Sequence, residues 1–331
     1  MPELQARTVA ASETNAIGLC TVLTDYALFS ASGSDAASFL HGQLTNDVTA
    51  LSPTQARLAG FCTAKGRLLA TLALWQRQEN DETHIQGFMR QSLIESVIKR
   101  LRMFVLRAKV KFDTPEGRLH GVWAQAGHLP ALSEKAGGAL PTEAWQSVQL
   151  PTGTWISAPH DAARLRWWWV AGPDQLAQAQ ALSTALASGE ESIWHRDDLC
   201  QGLAWIEAPT QDLFIPQTAN LDLIGGVSFT KGCYPGQEIV ARSHYLGKVK
   251  RRMTLGTVSG LPAGTPLLAA DVYEGGNPGE PCGRVIDAAT NGDLTHVLLE
   301  TTLVAMTQPE LRLSGVDGPV ITLKTLPYAL A

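Results

Sequence analysis

The sequence predicts an α+β protein of two or three domains that ends in a small antiparallel β-barrel. The chain of 331 residues is longer than the ~250–300 residues at which one hydrophobic core stops growing. Before Arg251, runs with helical and with strand periodicity follow one another, which indicates a mixed fold. From Arg251 onward, short β-rich runs alternate with turns such as Ser259-Gly260 and Asn291-Gly292, as in a barrel of ~80 residues.

Strands are predicted where apolar or alternating runs lie between turn residues. They cover residues 17–30, 57–63, 68–75, 84–88, 107–112, 119–124 and 163–170. Ala64-Lys65-Gly66 joins the second and third of these runs, and a glycine in so short a connection indicates a hairpin. The chain between residues 124 and 163 is rich in proline and glycine and is predicted to form loops.

Three helices are predicted in the part of the chain before residue 190. The first covers residues 35–44, with Ser34 as its N-cap. The second covers residues 92–105, where Leu93, Val97, Leu101 and Phe104 form an apolar stripe at helical spacing. The third covers residues 174–187, which are rich in alanine, leucine and glutamine.

The charge and the apolar pattern exclude several classes of protein. A net charge of -5 argues against a general nucleic-acid binder, which is usually basic. No apolar run reaches the ~18–20 residues that span a bilayer. Residues 1–15 are polar and lack the pattern of a signal peptide. We therefore expect a flexible tail at residues 1–15, a cytoplasmic protein and no membrane contact.

The cysteines give no sign of a disulfide framework or a metal site. The chain has five of them, Cys20, Cys62, Cys200, Cys233 and Cys282. Their number is odd and they lie far apart, so no set of disulfides is suggested. No pair has the C-x-x-C spacing of local zinc or iron–sulfur ligands. No metal is predicted.

The densest group of chemically distinctive residues is Lys231-Gly232-Cys233-Tyr234-Pro235-Gly236-Gln237-Glu238. Two glycines and a proline predict a tight loop around Cys233, and the residues after Gly236 favour a helix. A thiol just before a helix N-terminus is stabilised as a thiolate by free N–H groups. Lys231 would add positive charge, and Glu238 would lie in the first helical turn. From composition alone, a buried and inert cysteine is an equally good interpretation.

The octapeptide resembles the signature of the YgfZ family, K-G-C-Y-x-G-Q-E, with Pro235 at the variable position. Residues 33–48, which include His41-Gly42-Gln43, are similar to the first helix of that family. Residues 61–67 are similar to its glycine-lysine-arginine hairpin, and residues 214–229 to its approach to the signature. Arg242 and Lys250-Arg251-Arg252 match downstream. The similarity touches most of residues 16–255.

The resemblance implies the fold of the glycine-cleavage aminomethyltransferase, in which α+β domains surround a central hole and a C-terminal β-barrel closes the ring. Residues 16–245 would then form the folate-binding α+β region, as two intertwined subdomains. Residues 246–331 would form the barrel. Tetrahydrofolate or a derivative is the implied cofactor, bound in the central hole.

The function that the resemblance implies is that of an accessory protein. Members of the family support iron–sulfur enzymes, including those that thiolate tRNA, and are implicated in cluster assembly or repair. The implied partners are folate and iron–sulfur client enzymes or assembly factors, with weak RNA contact as a further option. Cys233 is the implied functional thiol. The rest of the motif consists of Lys231, Gly232, Tyr234, Gly236, Gln237, Glu238 and Arg242.

The chain departs from the aminomethyltransferase at two acidic positions. The glutamate of that enzyme's L-R-L-E-A-G segment aligns with Cys200, and residues 87–92 hold no acid where the enzyme has a catalytic aspartate. A carboxylate that steadies a cationic reaction intermediate is therefore not evident. Contacts with folate are expected instead from Lys65 and Arg67 in the hairpin, from Cys200, and from Trp205 as an aromatic wall.

Two other functions stay open as alternatives. The first is a folate-dependent aminomethyltransferase or another enzyme of one-carbon transfer. The second is an adaptor that binds RNA or protein without folate chemistry. A basic stretch suits the adaptor, although a solvated helix face explains it as well; its residues are Lys99, Arg100, Arg102, Arg107, Lys109 and Lys111.

Overall fold

The computed structural model describes residues 16–79, 82–245, 247, 249–275, 279–308 and 310–330. These residues form two β-sheets, a closed barrel and several helices. This confirms the predicted α+β class and the C-terminal barrel. The tail predicted at residues 1–15 lies outside the described residues.

The first sheet comes from the N-terminal part of the chain. After β1 (Gly18–Val22), its elements are β2 (Tyr26–Ser32), α1 (Ala36–His41), β3 (Arg57–Cys62), β4 (Leu68–Glu79), β5 (Glu82–Arg90), α2 (Ile94–Met103) and β6 (Lys111–Asp113). The strands pair antiparallel in the order β3-β4-β5-β2-β6. Gly66 turns the predicted hairpin between β3 and β4 with a φ of +72°, a conformation that glycine adopts without strain.

The second sheet recruits β1 and continues from residue 118. Its elements are β7 (Arg118–Gln125), α3 (Leu129–Ala136), β8 (Ser147–Leu150), β9 (Gly153–Ser157), β10 (Arg164–Ala171), α4 (Pro173–Gln178), α5 (Gln180–Ala185) and β11 (Leu186–Ser188). The strand order is β11-β1-β7-β10-β9-β8. Because β1 precedes the first sheet in sequence but belongs to the second, the chain crosses between the two sheets.

The remaining chain forms a connector and the barrel. Its elements are α6 (Glu191–Cys200), α7 (Gln237–Tyr245), β12 (Arg251–Ser259), β13 (Asp271–Glu274), β14 (Gly283–Asn291), β15 (Leu294–Thr302), β16 (Leu311–Leu313) and β17 (Val320–Lys324). The barrel closes in the order β12-β15-β14-β13-β16-β17, and α6 packs against β14 and β15. The expected division into 16–245 and 246–331 stays a prediction, and residue 246 lies outside the described residues.

Three of the predicted elements were wrong in part. The helix predicted at residues 174–187 is broken at Ala179, and its end becomes β11, which pairs with β1 in parallel. The strand predicted at residues 107–112 is reduced to β6, since the backbone of Lys109 bonds to Asp35 instead. The loops predicted between residues 124 and 163 contain α3, β8 and β9, which are too short for their periodicity to show in the sequence.

The three consecutive tryptophans of β10 fill two cores. Trp168 belongs to the large core that extends from the first sheet to the barrel, whereas Trp167 and Trp169 face a second core under α3 and α5. This follows from the alternation of side chains along a strand. All three are buried, so both faces of the second sheet are covered.

A histidine on β7 makes the stability of the second sheet depend on pH. Burial lowers the pKa of His120 to about 4. Between pH 6.5 and 4 the folded state therefore binds fewer protons than the unfolded state, and stability falls as the pH drops, by roughly 3 kcal/mol over the whole window. Urea unfolding at pH 7 and at pH 4.5 should show a smaller acid loss in His120→Gln than in the wild type. Equal losses in the two proteins would contradict this role.

Candidate functional site

The loop at residues 231–236 presents an exposed cysteine in front of a helix. Cys233 is exposed, and α7 begins at Gln237, directly after Gly236, as the sequence predicted. Gly236 has a φ of +83°, in the left-handed region that favours glycine. The amide N–H groups of Ile239 and Val240 bond back to the Gly236 carbonyl, so the turn continues directly into α7.

Gly236 lies against the turn of the β3–β4 hairpin. A Cβ on Gly236 would lie 2.5 Å from the Cα of Gly66 and 2.5 Å from the carbonyl oxygen of Thr63. On the hairpin side, a Cβ on Gly66 would meet Ile239 at 3.0 Å. The two glycines thus let the backbones of two distant segments touch. The loop that carries Cys233 is therefore docked on the hairpin that carries Lys65 and Arg67.

Lys231 joins the same loop to the end of α1. Its side chain is buried, and its Nζ donates to the carbonyl oxygens of His41 and, at 2.7 Å, of Leu44. It also lies 4.7 Å above the Tyr234 ring. Burial lowers the pKa of Lys231 to about 8, and the charges of Asp47 and Cys233 act in the opposite direction. The ammonium therefore binds the carbonyl of the last residue of α1, which has no helical partner, and that of Leu44 three residues later.

The other motif residues lie on the two sides of the loop. Tyr234 is buried, and its burial together with nearby Cys62 raises the pKa of its hydroxyl. Glu238 and Arg242 form an ion pair of 3.0 Å on the exposed face of α7, where their side chains are 80% and 63% exposed. Such a pair contributes little to stability, so both side chains are available to solvent and to partners.

A histidine and an aspartate adjoin the signature loop. His41 Nδ1 lies 3.0 Å from Asp47 Oδ1, which also accepts from the Thr49 hydroxyl at 2.7 Å. The Thr49 hydrogen bond is the largest of the contacts that lower the pKa of Asp47. His41 Nε2 lies 3.5 Å from where a Cβ on Gly232 would be. Nothing in the spacing of His41 and Asp47 along the sequence indicates that they meet this loop.

The stretches that resemble the family pattern meet at this site. Thr45 Oγ1 donates to the carbonyl of Gly226 at 2.6 Å, and Asn46 Nδ2 donates to that of Gly225 at 2.7 Å. On the other side of the loop, Gln217 Nε2 donates to the Val240 carbonyl at 2.6 Å. The chain just after the first helix therefore binds the approach segment, and the approach segment in turn binds α7 behind the motif.

The four residues expected to contact folate are not brought together. Lys65 is exposed in the hairpin turn. Arg67 donates to the Leu213 carbonyl at 2.5 Å and lines a cavity of about 570 Å³ at the edge of the barrel. Cys200 lines another cavity, of about 450 Å³. Trp205 is fully buried, with Tyr26, Phe88 and Trp168 packed around its ring. The roles of all four stay predictions, and Trp205 would reach a ligand only if these neighbours moved.

The cavity beside Cys200 lies between the second sheet, α6 and the barrel, and cationic side chains dominate its wall. Its charged and titratable residues are His160, Asp161, Arg164, Arg166, Arg196, Asp197, Cys200 and His296. Asp197 accepts from Trp123 Nε1 at 2.9 Å, from Arg164 and from Arg196 at 2.6 Å. Burial acts to raise the pKa of Asp197, but the three arginines outweigh it and the pKa is lowered. Asp197 is thus a paired carboxylate.

His296 lines this cavity, but one nitrogen of its ring is buried. Its Nδ1 is buried and has no hydrogen-bond partner among the described residues. Burial and the charge of Arg196 lower the pKa of His296, which favours the neutral ring. Burial and Asp197 raise the pKa of Cys200, so that its thiol is a poor nucleophile. The cavity therefore offers hydrogen bonds and positive charge without a reactive thiolate.

A buried polar cluster that the sequence did not reveal joins the barrel to both sheets. Asp287 on β14 has its Oδ1 2.8 Å from His195 Nε2, and its Oδ2 accepts from the Trp205 amide at 2.8 Å. Arg90 at the end of β5 lies 2.5 Å from His195 Nε2 and 3.2 Å from Glu207. Within α6, Asp198 is buried against Arg166.

Two further findings concern metal and membrane. Within the described ranges, no group of three or more histidine, cysteine, aspartate or glutamate side chains is arranged to hold a metal ion. Among those same residues, every helix is too short or too polar to cross a bilayer.

The comparisons with known proteins agree with this architecture. No family model matches the chain. It is 31% identical over 319 residues to the tRNA-modifying protein YgfZ of Yersinia pestis (strain Pestoides F), covering 93% of this chain and 92% of that protein. Its identity to the protein of the same name from Edwardsiella ictaluri (strain 93-146) is 31% over 327 residues, covering 93% and 91%.

A solved structure shares the fold. The glycine cleavage system aminomethyltransferase T from Bartonella henselae superposes with a TM-score of 0.71 at 16% identity, over 96% of this chain and 87% of that one. This confirms the predicted fold and carries no information on activity. The identity of the two relatives over almost the whole length shows that the chain belongs to the YgfZ family.

Proposed function

We propose that this protein is a tetrahydrofolate-binding accessory protein in tRNA modification, which supports assembly or repair of iron–sulfur enzymes through Cys233. The tRNA role follows from the name of the relatives. The observation that supports the thiol most directly is the presentation of an exposed Cys233 at the entrance of α7. Cytoplasmic location stays part of the same proposal.

The design of the loop supports a functional thiol more than a structural one. Cys62, which is buried beside Tyr234, has its pKa raised by burial and is a packing residue. Cys233 is exposed, and Lys231 and Gly236 make the contacts that hold the loop. Lys231 places a cation in the same loop as this thiol. A thiolate is the form that attacks disulfides and binds metal.

Replacing Cys233 by alanine is expected to remove the support of iron–sulfur enzymes while the fold persists. The side chain is exposed, so the change in the free energy of unfolding should stay within about 0.5 kcal/mol. The measurement is the thiolated fraction of tRNA in cells whose own gene for this protein is replaced by the variant. Cys282→Ala in the barrel is the matched control and should behave as the wild type. Full thiolation with Cys233→Ala would remove this residue from the mechanism.

Folate fits the cavity beside Cys200 in size and charge. About 450 Å³ lies in the range of small-molecule sites. Arg164 and Arg196 at the wall of this cavity suit the glutamate carboxylates of folate. Asp197 is already hydrogen-bonded to Trp123 and Arg196, so we do not expect its carboxylate to bind the pterin ring. When bound, a tetrahydrofolate supplies a carrier for one-carbon groups.

Binding of 5-formyltetrahydrofolate is expected to raise the melting temperature. A ligand at a hundred times its Kd stabilises the folded state by about 2.7 kcal/mol, which corresponds to several degrees for a chain of this size. The measurement is thermal unfolding with and without the ligand. In Arg164→Ala the shift should be smaller, and in Lys135→Ala, on the exposed face of α3, it should be unchanged. An absent shift in the wild type at saturating ligand would refute folate binding.

The alternative of aminomethyl transfer receives less support. It needs a carboxylate that is free to steady a cationic intermediate. Near Cys200, Asp197 and Asp198 are bound to arginines. Near the end of β5, Asp287 is buried against His195 and Arg90. Each of these carboxylates is occupied by a cation or a hydrogen-bond donor of the chain itself.

A further inference from the structure

The end of α2 carries an exposed apolar group surrounded by cations. Met103, Phe104 and Leu106 are 70%, 46% and 88% exposed, although a chain of this size could bury three such side chains. Clustered exposure of this kind marks interaction sites, unlike single exposed apolar residues. Together with Lys99, Arg100 and Arg107, which are also exposed, they form what we call the α2 surface.

The cations of the α2 surface are free to meet an external acid. Among the described residues, Lys99, Arg100 and Arg107 have no carboxylate within ion-pair distance, whereas nearby Lys111 pairs with Asp113 at 2.9 Å. The one acidic residue of α2 itself is Glu95. The protein as a whole has a net charge of -5, so the unpaired positive charge of the α2 surface differs in sign from the rest of the molecule. It would attract a negatively charged partner and fix its orientation.

A groove next to these residues can receive a side chain. Its volume is about 250 Å³, and its apolar wall consists of Phe61, Leu69, Val97 and Met103. Lys99 and Arg100 lie at its rim. An apolar pocket with a charged rim is the usual form of the centre of a protein–protein interface.

We propose that the α2 surface docks an acidic protein segment that inserts one apolar side chain into this groove. RNA would be held by several aromatic side chains that stack on its bases, but of the three exposed apolar residues only Phe104 is aromatic. A second copy of this chain in a two-fold dimer would place the same cations opposite each other. The carboxylates of an acidic segment would pair with the free cations, and an apolar side chain of the same segment would fill the groove.

The docked segment would lie close to the functional loop. Phe61 and Leu69 of the groove belong to β3 and β4, the two strands whose turn contacts Gly236. A client protein held at the α2 surface would therefore be held beside the hairpin on which the Cys233 loop is docked. That the docked segment belongs to a client protein rests on the proposed function. That the α2 surface docks an acidic segment does not.

The test uses the full chain and a fluorescein-labelled peptide of alternating glutamate and leucine residues, measured by fluorescence anisotropy. The wild type is expected to bind the peptide, and a peptide of lysine and leucine should not bind. The double variant Lys99→Glu/Arg100→Glu and the variant Leu106→Ser should each weaken binding about tenfold or more, as for residues central to an interface. The matched control is Lys135→Glu, a charge reversal of another exposed helical lysine, which should leave binding unchanged.

Every other result overturns the inference. Absent peptide binding, or binding that the α2 variants do not weaken, removes the acidic segment as the occupant. A tRNA transcript that competes for the α2 surface while the peptide fails to bind would assign it to RNA. Self-association that Leu106→Ser abolishes would assign it to a second copy. Cys233→Ala is expected to bind the peptide normally, so docking and the thiol function can fail independently of each other.

Discussion

Replacing Asp287 by alanine is expected to lower the free energy of unfolding by about 3–5 kcal/mol, the cost of removing one partner from a buried ion pair. Asp287 is fully buried and lies at the junction of the barrel, α6 and β5. Its two oxygens accept hydrogen bonds from the Trp205 and Ala288 amides, and Oδ1 lies 2.8 Å from His195 Nε2. Without it, the positive charge of buried Arg90 loses one of its compensating carboxylates.

The same carboxylate has a defined pH dependence. Burial acts to raise the pKa of Asp287. The charge and hydrogen bond of His195, together with the charge of Arg90, act to lower it and outweigh burial, so the pKa lies below its usual value. A carboxyl group whose pKa is depressed by folding stabilises the protein above its unfolded pKa of about 3.9. This contribution is lost as the pH falls through the folded pKa. Acid unfolding of the wild type should therefore include a step that Asp287→Ala lacks.

The control for Asp287 is an aspartate of the same barrel in an exposed pair. Asp271 accepts from Arg284 at 2.7 Å, with side chains 35% and 41% exposed. Asp271→Ala should cost less than about 1 kcal/mol, as surface pairs do. Urea unfolding followed by tryptophan fluorescence measures both variants. If the two variants lost equal stability, the buried cluster would not be what ties the barrel to the sheets.

Gly236→Ala is expected to displace the Cys233 loop from the β3–β4 hairpin. The new Cβ would lie 2.5 Å from backbone atoms of Gly66 and Thr63, and backbone cannot move aside as a flexible side chain can. The positive φ of +83° adds about 1–2 kcal/mol of strain. We expect a total loss of about 3 kcal/mol or more, or a local opening of the loop.

A control substitution at Gly264 separates the backbone strain of a positive φ from the steric clash of a new Cβ. Gly264 has a φ of +78°, but a Cβ there would meet no atom within 4 Å. Gly264→Ala should therefore show the cost of the backbone conformation alone. Hydrogen exchange of the amides in the hairpin and in α7 reports local opening, and it should increase in Gly236→Ala and not in Gly264→Ala. Equal effects of the two substitutions would mean that the contact with Gly66 does not hold the loop.

Local patterns predicted the elements that local forces control. Glycine in Ala64-Lys65-Gly66 indicated the hairpin turn, and the residues after Gly236 indicated a helix that does begin at Gln237. The apolar stripe of residues 92–105 predicted α2, and the dense turns after Arg251 predicted the barrel. Each of these signals arises within a few residues, where backbone geometry or periodicity is decisive.

Partners of charged residues could not be predicted in the same way. His195 and Asp287 are 92 positions apart, and Arg90 and His195 are 105 apart. No periodicity connects residues at such distances, so the cluster appears only when the barrel closes onto α6. For the same reason, the expected folate contacts at Arg67 and Cys200 proved to line separate cavities.

By itself, the sequence determined a glycine-framed loop around Cys233, a helix behind it, an α+β body and a terminal barrel. Only the tertiary structure decided that Lys231 binds the end of α1 and that Gly236 contacts Gly66. It also decided that Trp205 is in the core whereas Leu106 faces solvent. The physical reason is that burial and pairing depend on which distant segments pack together, whereas turns and helix starts depend on the backbone of neighbouring residues.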